Sequence, residues 1–216
     1  MNLLALACSP KKGRNTDILV DELLQGAKET LCDHSLHIKK IYINSLSFRP
    51  CQDCGYCRKN ESCSLQDDMT LVYKDIEDAD GMIVSAPTYY GGLNAQCKML
   101  IDRCFRFNEM VSNKDESWTF QSRIKKRKKL IFVGANGSFG KECVARQKTI
   151  ISHLCNDINA ELYQMIFAHK TDYYPVIENG ELRQKARLMG KGWVHAIALD
   201  LQKNMIVEEN SNGKRT

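Results

Sequence analysis

Four cysteines fall between Cys51 and Cys63 with the spacing C-x2-C-x2-C-x5-C. Three thiols at a strict three-residue interval can converge on one inorganic centre. The nearest pattern among metal sites is the C-x2-C-x2-C-x3-C-P run of bacterial [4Fe-4S] ferredoxins, in which soft thiolates hold iron and sulfide. Structural zinc instead favours two separated C-x2-C pairs. Here the last gap is longer than in ferredoxin, Ser64 rather than proline follows Cys63, and no second cysteine run exists. The spacing points to a single cluster with Cys51, Cys54, Cys57 and Cys63 as local ligands. The competing reading is a loop of free, buried or redox-active thiols.

Three further segments could bind a ligand. Cys8-Ser9-Pro10-Lys11-Lys12-Gly13-Arg14-Asn15-Thr16 brings hydroxyls, an amide and several backbone N–H groups to the start of a helix, with positive charge from Lys11, Lys12 and Arg14. Such a loop suits an anion, most naturally a phosphate monoester. It is neither G-x-G-x-x-G nor G-x4-G-K-[ST], which disfavours a Rossmann dinucleotide site and a P-loop. Its plain alternative is a helix-capping turn that binds nothing. In Ser85 to Asn94, Pro87 fixes the chain's exit, Gly91 and Gly92 permit close backbone approach, and Tyr89 and Tyr90 offer flat faces for an aromatic ring system. Gly134-Ala135-Asn136-Gly137-Ser138-Phe139-Gly140 is a third glycine-rich loop. One such loop is weak evidence, because turns need glycine anyway; three at one sheet edge, one suited to phosphate and one aromatic, carry more weight.

The elements that must position these loops alternate along the chain. Strand-like runs are expected at Asn2 to Cys8, Leu36 to Ile43, Gly81 to Ala86, Leu130 to Gly134 and Glu161 to Ala168. Between and after them, helical apolar stripes run over Thr16 to Leu31, from the N-capping Asp67-Asp68 to about Asp78, through Leu93 to Phe105, through Val144 to Ile158, and from Glu181 to about Lys203. Five strands alternating with helices indicate an α/β layer fold with a parallel sheet. Open sheets of this kind bind ligands at the carboxyl edge, where all three glycine-containing loops fall. Residues from about 45 to 66 lack periodicity, far beyond the ~2–6 residues usual for such connections, and long loops of that kind are commonly functional.

At 216 residues and 43% hydrophobic, the chain suits one domain over 1–207, followed by a polar tail at 208–216 expected to lack fixed structure. The cysteines outside the loop, Cys8, Cys32, Cys97, Cys104, Cys143 and Cys155, mostly sit in apolar stretches and read as small core residues. A reducing, cytoplasmic setting follows. The opening Met1 to Cys8 lacks a basic leader region, and no stretch approaches the ~18–20 apolar residues that span a membrane. Net charge is +5, and much of the excess lies in Arg123-Ile124-Lys125-Lys126-Arg127-Lys128-Lys129. This run reads as a solvated approach to a strand rather than a docking patch, because no interleaved aromatics or nucleic-acid motif accompany it. The five histidines show no ligand spacing.

Taken together, Ser9 to Thr16, Cys51 to Cys63 leading to Asp67-Asp68-Met69, Pro87-Thr88-Tyr89-Tyr90-Gly91, Gln96-Cys97-Lys98 and Ile101-Asp102-Arg103 resemble the NADPH-dependent FMN reductase family. Within it they are most similar to the iron-sulfur flavoproteins. The resemblance implies a flavodoxin-like three-layer fold with a five-stranded parallel sheet in the order 2-1-3-4-5. It also implies one FMN, with phosphate on Ser9, Lys11, Asn15 and Thr16, to which Arg14 would add its charge, and isoalloxazine against Pro87, Thr88, Tyr89, Tyr90 and Gly91. Asn136 and Gly137 would close the third side. The four loop cysteines would hold one [4Fe-4S] cluster, and chemistry would sit on the flavin rather than on a protein nucleophile. Implied partners are a small-molecule or ferredoxin-like electron donor or acceptor, NAD(P)H as a possible co-substrate, and a second copy of the chain in a homodimer or homotetramer. Cys8 and Arg14 stand where the family's phosphate loop commonly has glycine. Two other readings stay open: a cluster-free NAD(P)H-dependent FMN or quinone reductase, and a flavodoxin-like cysteine redox sensor.

Overall fold

A computed structural model of the chain describes all residues except 32–34, 114–116, 139, 141 and 213–216, and describes the backbone alone over 204–212. Strands β1 (Asn2–Ala7), β2 (His37–Tyr42) and β3 (Gly81–Tyr89) are followed by the short β4 (Gly92–Leu93), a β5–β6 hairpin (Asn108–Ser112 and Trp118–Ser122), β7 (Lys128–Ala135) and β8 (Ala160–Ala168). Helices are α1 (Asn15–Thr30), α2 (Tyr56–Asn60), α3 (Met69–Asp78), α4 (Ala95–Arg103), α5 (Glu142–Asp157) and α6 (Gly180–Asn212).

The main sheet runs β2-β1-β3-β7-β8, and every neighbouring pair along that path is parallel. This is the expected 2-1-3-4-5 order, with β7 and β8 as its fourth and fifth strands. Two additions were not expected: β4 folds back antiparallel on β3, and β5–β6 forms a separate two-stranded sheet. Because both faces are covered, the inner strands β1, β3 and β7 are mostly apolar, whereas the edge strand β2 carries His37, Lys39 and Lys40; the buried side chains divide by alternation. Leu4, Leu6, Met82, Val84, Leu130 and Phe132 pack towards α3, α4 and α5. Leu3, Ala5, Ile83, Ile131 and Val133 pack towards α1 and α6. Where α1 crosses α6, a Cβ on Gly26 would overlap the carbonyl of Arg187, and one on Gly190 would overlap the carbonyl of Leu23.

Several boundaries differ from the sequence reading. The third strand continues past Ala86 to Tyr89 because β4 supplies it with a partner. The fourth begins at Lys128, so the basic run is not simply a solvated approach: Lys128 is 1% exposed. Its ammonium donates to the carbonyls of Lys126 (3.0 Å) and Ile158 (3.3 Å). Lys129 pairs with Glu161 at 3.0 Å and Asp200 at 2.9 Å. Helix α6 runs on to Asn212, into the segment read as a tail, and residues 213–216 lie outside the described part. Cys8, Cys97, Cys104, Cys143 and Cys155 are buried as expected; Cys32 lies outside the described residues. Among the described residues no helix is long and apolar enough to cross a membrane.

Candidate functional site

The parallel register brings the ends of four strands level. Ala7 pairs with Ser85, Pro87 with Ala135, and Ala135 with Ala168. The loops that follow therefore emerge together at the carboxyl edge. They enclose a cleft of about 290 Å³ lined by Ser9, Lys11, Arg14, Asn15, Thr16, Pro87, Thr88, Tyr89 and Gly137, together with Ala135, Ser138, Thr171 and Asp172. That volume is at the small end of the ~300–1,000 Å³ usual for ligand pockets, so a large ligand would keep part of its surface open.

The first loop is shaped by its own sequence. Gly13 takes φ +67°, and its N–H donates to the Asp17 carboxylate at 2.6 Å. Asp17 is itself anchored by Lys40 at 2.6 Å and by the Tyr42 hydroxyl at 3.2 Å. Arg14, extended at the N-cap of α1, supplies no side-chain cap. The first-turn N–H groups of α1 have no intrahelical partner, and they face a cleft that Lys11 and Arg14 also line. Asn15 lines the cleft while its amide oxygen accepts from the Val176 N–H at 2.9 Å. Cys8 lies fully buried beneath the loop. Burial and the adjoining Cys97 thiol push its pKa up, so it is a core thiol rather than a reactive one.

The second loop is a tight hairpin. Tyr89 pairs with Gly92, and the two residues between, Tyr90 at φ +49° and Gly91 at φ +74°, are the left-handed pair of a two-residue turn. Thr88 is held from behind, where the buried Gln147 Nε2 donates to its hydroxyl at 2.7 Å. Tyr90 projects fully into solvent, and neither it nor Gly91 lines the cleft.

The third loop departs most from expectation. Asn136 is buried behind the cleft wall rather than in it. Its amide oxygen lies 2.9 Å from His169 Nδ1, and its amide nitrogen donates to Gly140 at 3.3 Å. Its carbonyl accepts from the backbone and the hydroxyl of Thr171, both at 3.1 Å. Asn136 thus ties the third loop to the loop after β8, which brings Thr171 and Asp172 into the wall. These two were missed because only the loops after the first, third and fourth parallel strands carried glycine signals. The carboxyl-edge rule applied to the fifth strand would have found them. Trp118 and Phe120 sit exposed on the β5–β6 hairpin, where Phe120 packs on Phe105 at 5.7 Å. Neither lines the cleft.

The cysteine loop follows β2 and opens at the same edge. All four of its cysteines line one small cavity of about 30 Å³, walled by Asp102, Arg103, Phe105 and Arg106. Cys51 and Cys54 are exposed, and Cys57 and Cys63 are half-buried. The Ser64 hydroxyl, 3.3 Å from the Cys54 sulfur, and the Tyr56 amide hold the Cys54 thiol below its ordinary pKa. Burial pushes the Cys57 thiol up, and the neighbouring Cys63 and Cys51 sulfurs add to the rise. Left-handed residues Asp53, Gly55 and Glu61 turn the chain repeatedly around these sulfurs. Among the described residues, no group of three His, Cys, Asp or Glu side chains stands close enough to hold a single metal ion.

Both sites are fastened to α4. At its start, Asn94 Nδ2 donates to the Cys8 carbonyl at 2.7 Å, under the first loop. Just beyond, Gln96 Nε2 reaches Asn44 Oδ1 at 3.0 Å, where the cysteine loop departs. At its end, the buried Arg103 holds Asp67 with two bonds of 2.7 and 3.0 Å and the Arg49 carbonyl at 2.8 Å. At the head of α3, Asp67 receives the Met69 N–H at 3.2 Å. Asp68, expected to share that capping, turns back to the Ser47 N–H at 2.6 Å.

Similarity to known proteins agrees with this arrangement. An iron-sulfur flavoprotein of Methanosarcina thermophila is 36% identical over 103 residues, 48% of this chain and 52% of its own length. One from Methanocaldococcus jannaschii is 32% identical over 103 residues, 48% of this chain and 51% of its own length. The chain thus spans about half the length of the curated relatives it matches. Two solved structures share the fold: a flavone reductase (TM-score 0.64, 18% identity, covering 92% of this chain and 63% of that one), and an FMN-dependent NADH-azoreductase from Bacillus anthracis (TM-score 0.61, 13% identity, 92% and 100%). The model of the NADPH-dependent FMN reductase family matches residues 1–165, and the chain belongs to that family.

Proposed function

We propose that this chain is an FMN-dependent oxidoreductase that passes electrons between a reduced donor and a small acceptor or protein partner, with one [4Fe-4S] cluster on the cysteine loop. The observation that carries the flavin reading is the cleft itself. An uncapped helix start with two cations lies on one side, and a proline-tyrosine hairpin lies on the other, at the carboxyl edge of a parallel sheet. FMN fits this donor set: Ser9, Lys11, Arg14, Asn15 and Thr16 would hold its phosphate, and Pro87, Thr88 and Tyr89 would flank its ring, with Tyr90 and Gly91 forming the turn beyond. Gly137 and Ser138 would close the third side, positioned by Asn136, and Thr171 and Asp172 extend that wall. When bound, FMN supplies acceptance of an electron pair and release of single electrons, so the chain needs no nucleophile of its own.

Four thiols around one cavity, with Arg103 and Arg106 in its wall, suit an anionic iron-sulfur centre. Reduced nicotinamide or a ferredoxin-like protein is the proposed donor, and a second copy of the chain the proposed assembly partner. The exposure of Cys51 and Cys54 sustains a second reading, a cluster-free reductase or sensor with reactive thiols. Protein purified without oxygen distinguishes them. The proposal expects flavin absorption near ~450 nm, a broad iron-sulfur shoulder and about four irons per chain. Cys54→Ser should lose the iron and keep the flavin. Flavin without iron leaves the second reading, and failure to take up FMN contradicts both reductase readings.

A further inference from the structure

We infer that Arg103 is the positioning residue of the cysteine cavity: its buried guanidinium draws the two ends of the cysteine loop together and so keeps the four thiols around one cavity. The inference rests on the proposed use of those thiols as one ligand set.

Arg49 and Asp67 bracket all four cysteines, and both are held by the same side chain. Arg103 Nη1 donates to the Arg49 carbonyl at 2.8 Å and to Asp67 Oδ2 at 2.7 Å, while Nη2 donates to Asp67 Oδ1 at 3.0 Å. The Arg49 N–H also reaches Asp67 Oδ2, at 3.2 Å, which closes the neck of the loop directly. On the remaining side Nε donates to the Tyr73 hydroxyl at 2.9 Å. The guanidinium is 2% exposed, and its base is firm because Leu100, Ile101 and Cys104 beside it belong to the core.

Inside this neck the half-buried Cys63 packs against the core, and the rest of the loop is held weakly. No residue from 50 to 66 is fully buried, and α2 buries none of its side chains. The loop therefore lacks a core of its own, and a segment with few buried apolar contacts opens readily unless its ends are fastened. Arg106 adds one tie, from Nη2 to the Glu61 carbonyl at 2.9 Å, but it grips the loop away from its neck. The Ser47 N–H to Asp68 bond at 2.6 Å joins the chain just outside the neck, and Arg103 is the side chain that holds Arg49 and Asp67 together. A lysine cannot replace the fork, because an ammonium does not make the paired carboxylate bonds and the Arg49 and Tyr73 bonds at once.

The test uses Arg103→Gln, Arg103→Lys and Asp67→Asn in the full chain. In iron-free protein, peptide mass spectrometry follows iodoacetamide alkylation cysteine by cysteine; in reconstituted protein, iron is counted. We expect Cys57 and Cys63 to alkylate about tenfold faster in both Arg103 variants, with Cys97 and Cys104 still protected and FMN affinity within about twofold of wild type. Iron uptake should fall with thiol protection. Should an Arg103 variant fail to fold, Asp67→Asn opens the same neck from its more exposed partner. Unchanged alkylation at Cys57 and Cys63 in the folded variants overturns the inference, as does a rise shared equally by Cys97 and Cys104. A wild-type protein that takes up no iron contradicts the cluster reading alone, and the alkylation result still decides the role of Arg103.

Discussion

Tyr90 occupies a left-handed conformation that β-hairpins normally assign to asparagine or glycine, and it does so with its ring wholly in solvent. A non-glycine residue there costs about 1–2 kcal/mol, and strain of this kind commonly marks a functional position. Tyr90→Asn should therefore raise the stability of the flavin-free protein by about 0.5–1 kcal/mol in denaturant titration. A variant that is less stable would contradict the strain account. Proline, glycine and paired tyrosines made this loop legible in the sequence, because each constrains the backbone for a known reason. The left-handed Tyr90 was not legible, since Tyr-Gly is not the usual turn signature. Asn136 shows the complementary limit. A glycine-flanked asparagine was readable as a site residue, but nothing in its spacing told whether its amide faces a ligand or, as here, braces His169 and the loop after β8.

At the scale of elements, the alternating strands and helices were readable because burial on both faces demands long apolar runs, and helix stripes repeat at a different period. The α1–α6 contact was not, because it depends on two glycines far apart in sequence that meet only in the fold. Gly190→Ala should destabilise the protein by about 2–4 kcal/mol, since the new methyl group meets a backbone carbonyl that no rotamer change can move aside. The basic run teaches a similar lesson at β7. Its charges read as solvated, yet the strand begins inside the run and takes Lys128 into the core. Burial lowers the Lys128 pKa from the ordinary 10.5 to about 8. Between those values the unfolded chain binds more protons than the native one, so stability should rise as pH goes from 8 to 10.5. Lys128→Met should remove that rise in thermal melts taken across the same range, and an unaltered pH profile would contradict it. The β5–β6 hairpin escaped the sequence reading because its strands are short and lie outside the main sheet.

For the whole molecule, the arrangement of two sites about one helix matters most. Asn94 at the head of α4 fastens the first cleft loop, and Arg103 at its tail fastens the cysteine loop. Nine residues of helical rise separate them, roughly 14 Å. The two sites thus share one stiff support, which would keep a flavin and a cluster in fixed relation within the chain. Both loops leave the same sheet edge because β1 and β2 run parallel and each loop follows a strand's carboxyl end. The sequence did not show the shared helix, whose two anchors are side-chain contacts spanning much of the chain. The central claim, that the cleft holds FMN by its phosphate, is tested most directly by titrating flavin-free protein with FMN and with riboflavin and following flavin fluorescence. FMN should bind about 100-fold more tightly, the worth of one to two charge-assisted hydrogen bonds, and Arg14→Ala should remove most of that advantage. Equal affinity for the two flavins, or an advantage untouched by loss of Arg14, would contradict that claim.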